Sequence, residues 1–252
     1  MEYNEQNKQS WNTHSARYQR TSDLNFQQLD FGERRYPTND ELQLLGNVTG
    51  KRVLELGCGG GNVGIILAKQ GALVTGVDIS EEQITAAQHH AQQEGATTID
   101  FTVSSIEDYA ITRTYDVVIS ICAFQYVQDL RTVFRNVYHG LTAGGEFIFS
   151  TNHPAFFTAA FRSIWNDEIP DYHYQYEAPE VWKWEHTDTE EFITFPHPVE
   201  YYVNTLVDVG FSLERLHELQ LDKDMTTCQD EEERLECIYP KYLVIKSKKS
   251  GQ

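Results

Sequence analysis

The chain predicts an α/β fold: a doubly wound, mostly parallel sheet of seven strands with an antiparallel last strand and an inserted cap. Three observations lead there. Short runs rich in Val, Ile and Leu alternate with helix-like stretches along residues 52–150, the pattern of parallel strands joined by helical crossovers. A loop holding five glycines, Gly57, Gly59, Gly60, Gly61 and Gly64, separates the first strand from the first crossover helix. Regularity then stops over residues 151–198, which hold five of the chain's seven prolines together with Trp165, Trp182, Trp184, Tyr172, Tyr174 and Tyr176.

Each element has a local reason. RVLEL at 52–56 and ALVTGV at 72–77 are apolar and β-branched, and read as the first two strands, with a helix over 63–70 between them. Ser80 followed by Gln83 makes a capping box that opens a helix running to about Gln93. Residues 99–103 form a third strand and DVVIS at 116–120 a fourth. A helix over 130–138 leads to a turn at Gly144-Gly145 and a fifth strand at 146–150. After the insertion come a helix over 199–208, a strand from about Phe211, an acidic excursion over 222–236 read as a solvated surface segment, and a last strand near 242–246.

Composition narrows the class. With 252 residues, 40% of them hydrophobic, the chain builds one sizeable core, so a single domain over 1–252 with an insertion at 151–197 is expected. The start is polar, without the basic-then-apolar order of a secretory signal. The longest apolar run, over 115–127, is interrupted by Ser120, Cys122 and Gln125 and is too short to span a bilayer, so a cytoplasmic protein without a membrane partner is expected. The four cysteines (Cys58, Cys122, Cys228, Cys237) are too scattered for a disulfide framework, and their spacing matches no zinc pattern. A formal net charge of -18 repels polyanions and argues against a nucleic-acid partner. The basic cluster Arg17, Arg20, Arg34 and Arg35 is the local exception, and the basic tail Lys246, Lys248 and Lys249 reads as a solvated terminus.

The glycine loop carries the chemistry. It follows a strand, precedes a helix, and is followed by Asp78 at the end of the second strand, where an open α/β sheet binds ligands. Glycines let the backbone approach a ligand, and Asp78 accepts hydrogen bonds from ribose hydroxyls, so a dinucleotide or another adenosine-containing ligand fits. Gly59, Gly61 and Gly64 alone satisfy the dinucleotide spacing, a weak signal. Glu55 adds a carboxylate at the strand end, which repels a pyrophosphate and suits a ligand bearing an ammonium group.

With Glu55-x-Gly57-x-Gly59-x-Gly61 in VLELGCGGGNVG and with GVDIS, the sequence resembles the class I S-adenosylmethionine-dependent methyltransferases, whose sheet is Rossmann-like. YDVVISICAFQYVQD and LTAGGEFIFS resemble that family's fourth- and fifth-strand motifs, and WNTHSARYQR its leading helix. The resemblance implies that Gly57, Gly59 and Gly61 surround the methionine part of S-adenosyl-L-methionine, that Asp78 holds the ribose, and that Ser105 and Ile106 flank the adenine. It makes Tyr18 an aromatic lid, and Glu55, Cys58, Ile79, Gln83 and Cys122 complete the expected cofactor-binding set. Ser105 stands where many relatives have Asp, and Gln125 where they often have His.

The expected activity is methyl transfer to oxygen or nitrogen of a small molecule, with much of the catalysis coming from positioning. His153, just past the fifth strand, is the candidate proton acceptor because it titrates near neutrality, and Tyr126 is the second catalytic candidate. Rival readings are a methyltransferase acting on RNA or protein and a non-catalytic S-adenosylmethionine-binding protein. The aromatics of the insertion are expected to cover the substrate.

Overall fold

Runs of apolar residues longer than a half-buried strand needs imply strands covered on both faces, and the computed structural model has that layering. It describes residues 2–22, 26–160, 179–183 and 191–251. The chain opens with helix α1 (Glu2–Thr21) and a short turn of helix, α2 (Asn39–Leu42). Then β1 (Arg52–Leu56), α3 (Asn62–Lys69), β2 (Leu73–Asp78), α4 (Glu81–Gln93) and β3 (Ile99–Val103) wind outward in one direction. The chain returns to the other side of β1 with β4 (Tyr115–Ile121), α5 (Leu130–Gly140) and β5 (Leu141–Asn152). After α7 (Val199–Val209), β8 (Phe211–Leu219) takes the far edge and β9 (Tyr242–Lys249) inserts antiparallel between β5 and β8.

The sheet order is therefore β3-β2-β1-β4-β5-β9-β8. Its strand order reverses between β1 and β4, so the carboxyl ends of these two strands diverge and leave a crevice. Successive residues of each strand point to opposite faces. Val53, Val117, Ile119, Ile148 and Val244 share one core cluster with Val63 and Leu67 of α3 and with Leu29, Phe31, Leu44 and Val48 of the segment before β1. Leu54, Val118, Phe147, Phe149 and Ile245 pack against Leu130, Val133, Phe134 and Val137 of α5 and Tyr202 and Leu206 of α7.

Four sequence expectations change. Strand β5 begins at Leu141, not at Glu146, and the Gly144-Gly145 pair lies within it, at an irregularity in its pairing with β4. The acidic excursion is not simply solvated: it contains α8 (Glu231–Ile238), whose Glu236 is fully buried. Glu236 accepts from Lys241 Nζ at 2.6 Å, Arg35 at 2.7 Å and the Tyr36 hydroxyl at 2.8 Å, so part of its acidity serves as the inner half of an ion-pair network. The basic tail is not a solvated terminus either. Lys246 lies on an interior strand, donating to Leu44 O at 2.8 Å and pairing with Glu146, and Lys249 donates to Leu141 O at 2.8 Å. The cysteines are not all apart: the fold brings the thiols of Cys228 and Cys237 to 3.6 Å.

Within the insertion, α6 (Pro154–Ala160) precedes a two-stranded antiparallel hairpin, β6 (Glu180–Lys183) and β7 (Glu191–Thr194), paired Glu180 to Thr194 and Trp182 to Phe192. Trp165, Tyr172, Tyr174, Tyr176 and Trp184 lie outside the described residues. No described helix is long and apolar enough to cross a membrane.

Candidate functional site: a carboxylate-lined cleft at the strand switch

The crevice between β1 and β4 is a cleft holding about 780 Å³ of atom-free space, part of it open to solvent. Its floor is the glycine loop. Gly57 has φ +73 and an added Cβ there would lie 2.3 Å from the Cβ of Ala123, which follows β4, so only glycine lets the two strand ends approach this closely. Asp78, ending β2, closes one side. Its Oδ2 accepts from Gly59 N at 2.9 Å and its Oδ1 from Ser80 N at 2.9 Å, which fixes the carboxylate across the loop. Burial raises its pKa, and these backbone donors pull it back.

Of the residues expected from the sequence, the fold brings Tyr18, Gly57, Gly59, Asp78, Ile79, Gln83, Ser105, Ile106, Cys122 and Tyr126 around this one cleft. Ser105 also closes the turn after β3, its hydroxyl donating to Asp108 Oδ2 at 2.6 Å and accepting from Asp108 N at 3.0 Å. Cys122 has φ +51, an unfavourable conformation for a residue with a Cβ. Gln125 holds that turn by donating to Cys122 O at 2.6 Å. Burial raises the Cys122 thiol to about 11, which keeps it protonated and unreactive at neutral pH. Burial likewise raises the Tyr126 phenol, so it is a hydrogen-bonding group and not a phenolate base.

Four expected residues stand elsewhere. The Glu55 side chain is beneath the loop, 2% exposed, accepting from Gly64 N in the first turns of α3 at 2.9 Å. Burial, with Asp78 nearby, raises it to about 8 against that hydrogen bond, so at neutral pH it is largely an uncharged acid and does not face the cleft. The Cys58 side chain packs below the loop against Gly76. Gly61 caps α3 with φ +80 and faces Ala87 and Phe101, turning the chain into the helix and not lining the cleft.

His153 does not reach the cleft. Its Nδ1 accepts from Ala155 N at 3.1 Å, so Nε2 carries the proton and bonds Glu218 Oε1 at 2.8 Å. Both ring nitrogens are used to start α6 and tie it to β8, and burial lowers the pKa.

The roof is α1. Asn4, Asn7, Trp11 and Tyr18 face the cleft, spaced three or four apart, or two turns, so that they share one side of the helix. Asn7 exchanges two hydrogen bonds with the backbone of Ile193 on β7, at 2.9 and 2.8 Å, and Asn4 donates to Glu107 at 3.0 Å. Asn12 and Lys8 hold the helix to Glu81 at the start of α4. Trp11 centres an aromatic cluster, edge-on to Tyr18 at 5.6 Å, Tyr126 at 5.8 Å and Phe192 at 5.0 Å. Asn4, Asn7, Trp11 and Glu107 also line the cleft and are not among the residues expected from the sequence. The 4-7-11-18 spacing was the available signal, hidden because half of this stripe is asparagine.

Among the described residues, the lining has two acidic side chains, Asp78 and Glu107, and no lysine or arginine. Such a wall repels a pyrophosphate and fits a ligand with net positive charge, as S-adenosylmethionine is through its sulfonium and ammonium groups. Sheet order, glycine loop and strand-end carboxylate together define the class I S-adenosylmethionine-dependent methyltransferases. Residues 47–194 match the family of methyltransferase domains, more than half of the chain, and the protein belongs to that family.

Solved structures agree with the class. A candidate S-adenosylmethionine-dependent methyltransferase from Listeria monocytogenes is 28% identical with a TM-score of 0.71, over 83% of this chain and 94% of that one. An S-adenosylmethionine-dependent methyltransferase from Mesorhizobium loti is 27% identical with a TM-score of 0.68, over 82% and 94%. A ubiquinone biosynthesis O-methyltransferase of Vibrio parahaemolyticus is 38% identical over 115 residues, 45% of this chain and 48% of that protein. The chain thus spans about half the length of the curated relatives it matches first.

Proposed function

We propose that this protein transfers a methyl group from S-adenosylmethionine to an oxygen or nitrogen of a small molecule. One observation carries the reading: a cleft at the strand switch, its described lining holding carboxylates and no cation, roofed by an aromatic helix. Asp78 takes the ribose hydroxyls on the lone pairs that Gly59 and Ser80 leave. The backbone at Gly57 and Gly59 holds the methionine part, and Ser105 and Ile106 flank the adenine. Trp11, Tyr18 and Tyr126 present aromatic faces that favour a cation.

When bound, the cofactor supplies a methyl group already activated by its sulfonium. The chain's share is to hold the acceptor in line, exclude water and keep Tyr126 protonated as a donor. The roof of α1 favours a small acceptor over a polymer, as does the charge of -18. The relative named for ubiquinone biosynthesis supports an oxygen acceptor. We take residues 1–252 as one domain in which 151–197 covers the acceptor.

The test is incubation with methyl-labelled cofactor and a metabolite extract, followed by mass spectrometry. Label in a compound of low molecular mass supports the reading. Label found only in RNA or protein, or stoichiometric cofactor binding without any turnover, overturns it.

A further inference from the structure

The acidic excursion between β8 and β9 holds two thiols that methyl transfer does not use. A single turn of 3-10 helix, Met225–Thr227, is closed by Asp224, whose Oδ1 accepts from Thr226 N at 2.9 Å and Thr226 Oγ1 at 2.8 Å. Cys228 follows directly. Asp230 then caps α8, its Oδ1 accepting from Glu233 N at 2.8 Å. The chain reverses through these caps, so Cys237, in the last turn of α8, returns to Cys228 with 3.6 Å between the sulfurs.

Both ends of α8 are anchored in that position. Gln220 Nε2 donates to Cys237 O at 2.5 Å and Leu221 N to Glu236 O at 3.0 Å. Gln229 N donates to Glu233 Oε2 at 2.6 Å, and Lys223 pairs with Glu233 at 2.7 Å. Cys228 and Cys237 are half-buried and open to a small solute, whereas Cys58 is 3% exposed and the Cys122 thiol meets Ser150 Oγ. Among the described residues no three His, Cys, Asp or Glu side chains are grouped to hold a metal ion, so the pair lacks the ligand set of a zinc site.

We propose that Cys228 and Cys237 form a reversible disulfide that clasps α8, with hydrogen peroxide or a small-molecule disulfide as oxidant and a free thiol as reductant. The site is independent of the methyl acceptor. An S–S bond is about 2.05 Å, so the sulfurs close by about 1.5 Å, a movement that side-chain rotation supplies. Burial and the adjacent Cys237 raise the Cys228 thiol, against a lowering by Lys223, so the pair persists as thiols until an oxidant arrives. With peroxide, one sulfur attacks as thiolate, the O–O bond breaks and hydroxide leaves. The second thiolate attacks the resulting sulfenic acid, the S–S bond forms, and a second hydroxide leaves. The two thiol protons turn both hydroxides into water. The sulfurs lose two electrons in total, and the peroxide oxygens gain them. Two molecules of a free thiol reverse the bond and end as their own disulfide.

The ring so closed runs from 228 to 237 and contains all but the last residue of α8. A helix of 8 residues has little stability of its own, so a covalent tie at its last turn suppresses its opening. Glu236, beside Cys237, holds Lys241, Arg35 and Tyr36, and the same clasp steadies that network.

The experiment treats the full reduced chain with hydrogen peroxide, then denatures it and alkylates it with iodoacetamide. Intact mass and a non-reducing peptide map read the outcome. Untreated protein should take four alkyl groups, one per cysteine, and treated protein two, with one peptide pair joined through Cys228 and Cys237. Reduced glutathione should restore all four. Cys228→Ser and Cys237→Ser should give no joined pair at the same dose and leave Cys58 and Cys122 alkylated. Hydrogen exchange across residues 231–238 should slow about tenfold in treated wild type and stay unchanged in treated Cys228→Ser. Four alkyl groups after treatment, a joined pair that includes Cys58 or Cys122, or a bond only between two chains overturns the site. A bond that glutathione does not open overturns its reversibility, and a correct bond with unchanged exchange overturns the clasp. The wild-type map decides the site by itself if a serine variant fails to fold.

Discussion

Two carboxylates within one loop's reach, one buried and one half-buried, do different work, and their hydrogen bonds separate them. Asp78 faces the cleft, held by Gly59 and Ser80. Asp78→Ala should weaken S-adenosylmethionine and S-adenosylhomocysteine binding by about 1–3 kcal/mol, the scale for losing hydrogen bonds to a charged acceptor. Calorimetry checks it, and tighter binding of NAD than of S-adenosylmethionine would contradict the assignment.

Glu55 faces the sheet, and its test is stability. Its pKa is about 8 in the folded chain against 4.5 ordinarily, so the folded state holds a proton that the unfolded state releases. Stability from this group is full below pH 4.5 and is lost as pH rises towards 8, a swing of roughly 3–5 kcal/mol. Glu55→Gln keeps an acceptor for Gly64 N–H and cannot ionise. Its stability relative to wild type should therefore rise between pH 5 and pH 8, measured by denaturant unfolding at several pH values. A constant difference would show that burial does not keep Glu55 protonated.

His153, with both nitrogens engaged outside the cleft, should be dispensable for proton transfer. His153→Asn should leave the pH profile of single-turnover methyl transfer unchanged, and a lost limb in that profile would return it to the mechanism.

Helices usually join a fold through an apolar stripe, and α1 does not. Asn7, Ser10, His14 and Ser15 are each no more than 3% exposed, and much of the helix's docking runs through side-chain hydrogen bonds to β7, α4 and Glu107. A helix held this way, over a cleft that it closes, sits at the low end of local stability. Its amides should exchange faster than those of α5 in the ligand-free protein, and S-adenosylhomocysteine should slow exchange across residues 2–21. Asn7→Ala should abolish most of that protection difference by cutting both bonds to Ile193. Equal exchange with and without ligand would mean that α1 is a fixed wall.

Across the whole molecule, the acidic excess is not spread evenly over the surface. Glu33, Glu232 and Glu236 converge on Lys241 at 2.7, 3.1 and 2.6 Å, joining the segment before α2, helix α8 and the start of β9. Removing the cation leaves Glu236, fully buried, without its nearest charge partner. Lys241→Met should cost about 3–5 kcal/mol, which for a chain of this size lowers Tm by roughly 6–20 °C. Thermal unfolding checks this, and a shift under about 2 °C would assign the network no structural role.

The sheet, the crossovers and the cofactor class were legible in the chain because they rest on local signals. A strand period, a capping Ser80, a glycine run after RVLEL and Asp78 at a strand end each declare themselves within a dozen residues. Which side chains meet in the cleft was not local. Glu55 and Asp78 look equivalent as strand-end acids, yet α3 offers Gly64 N–H to one and solvent space opens to the other. His153 looked like a base until α6 and β8 took its nitrogens. The roof of α1, its bonds to the β6–β7 hairpin and the burial of Glu236 depend on contacts between residues far apart in the chain. Loop closure and competition for hydrogen-bond partners decide those, and only the packed tertiary structure settles them.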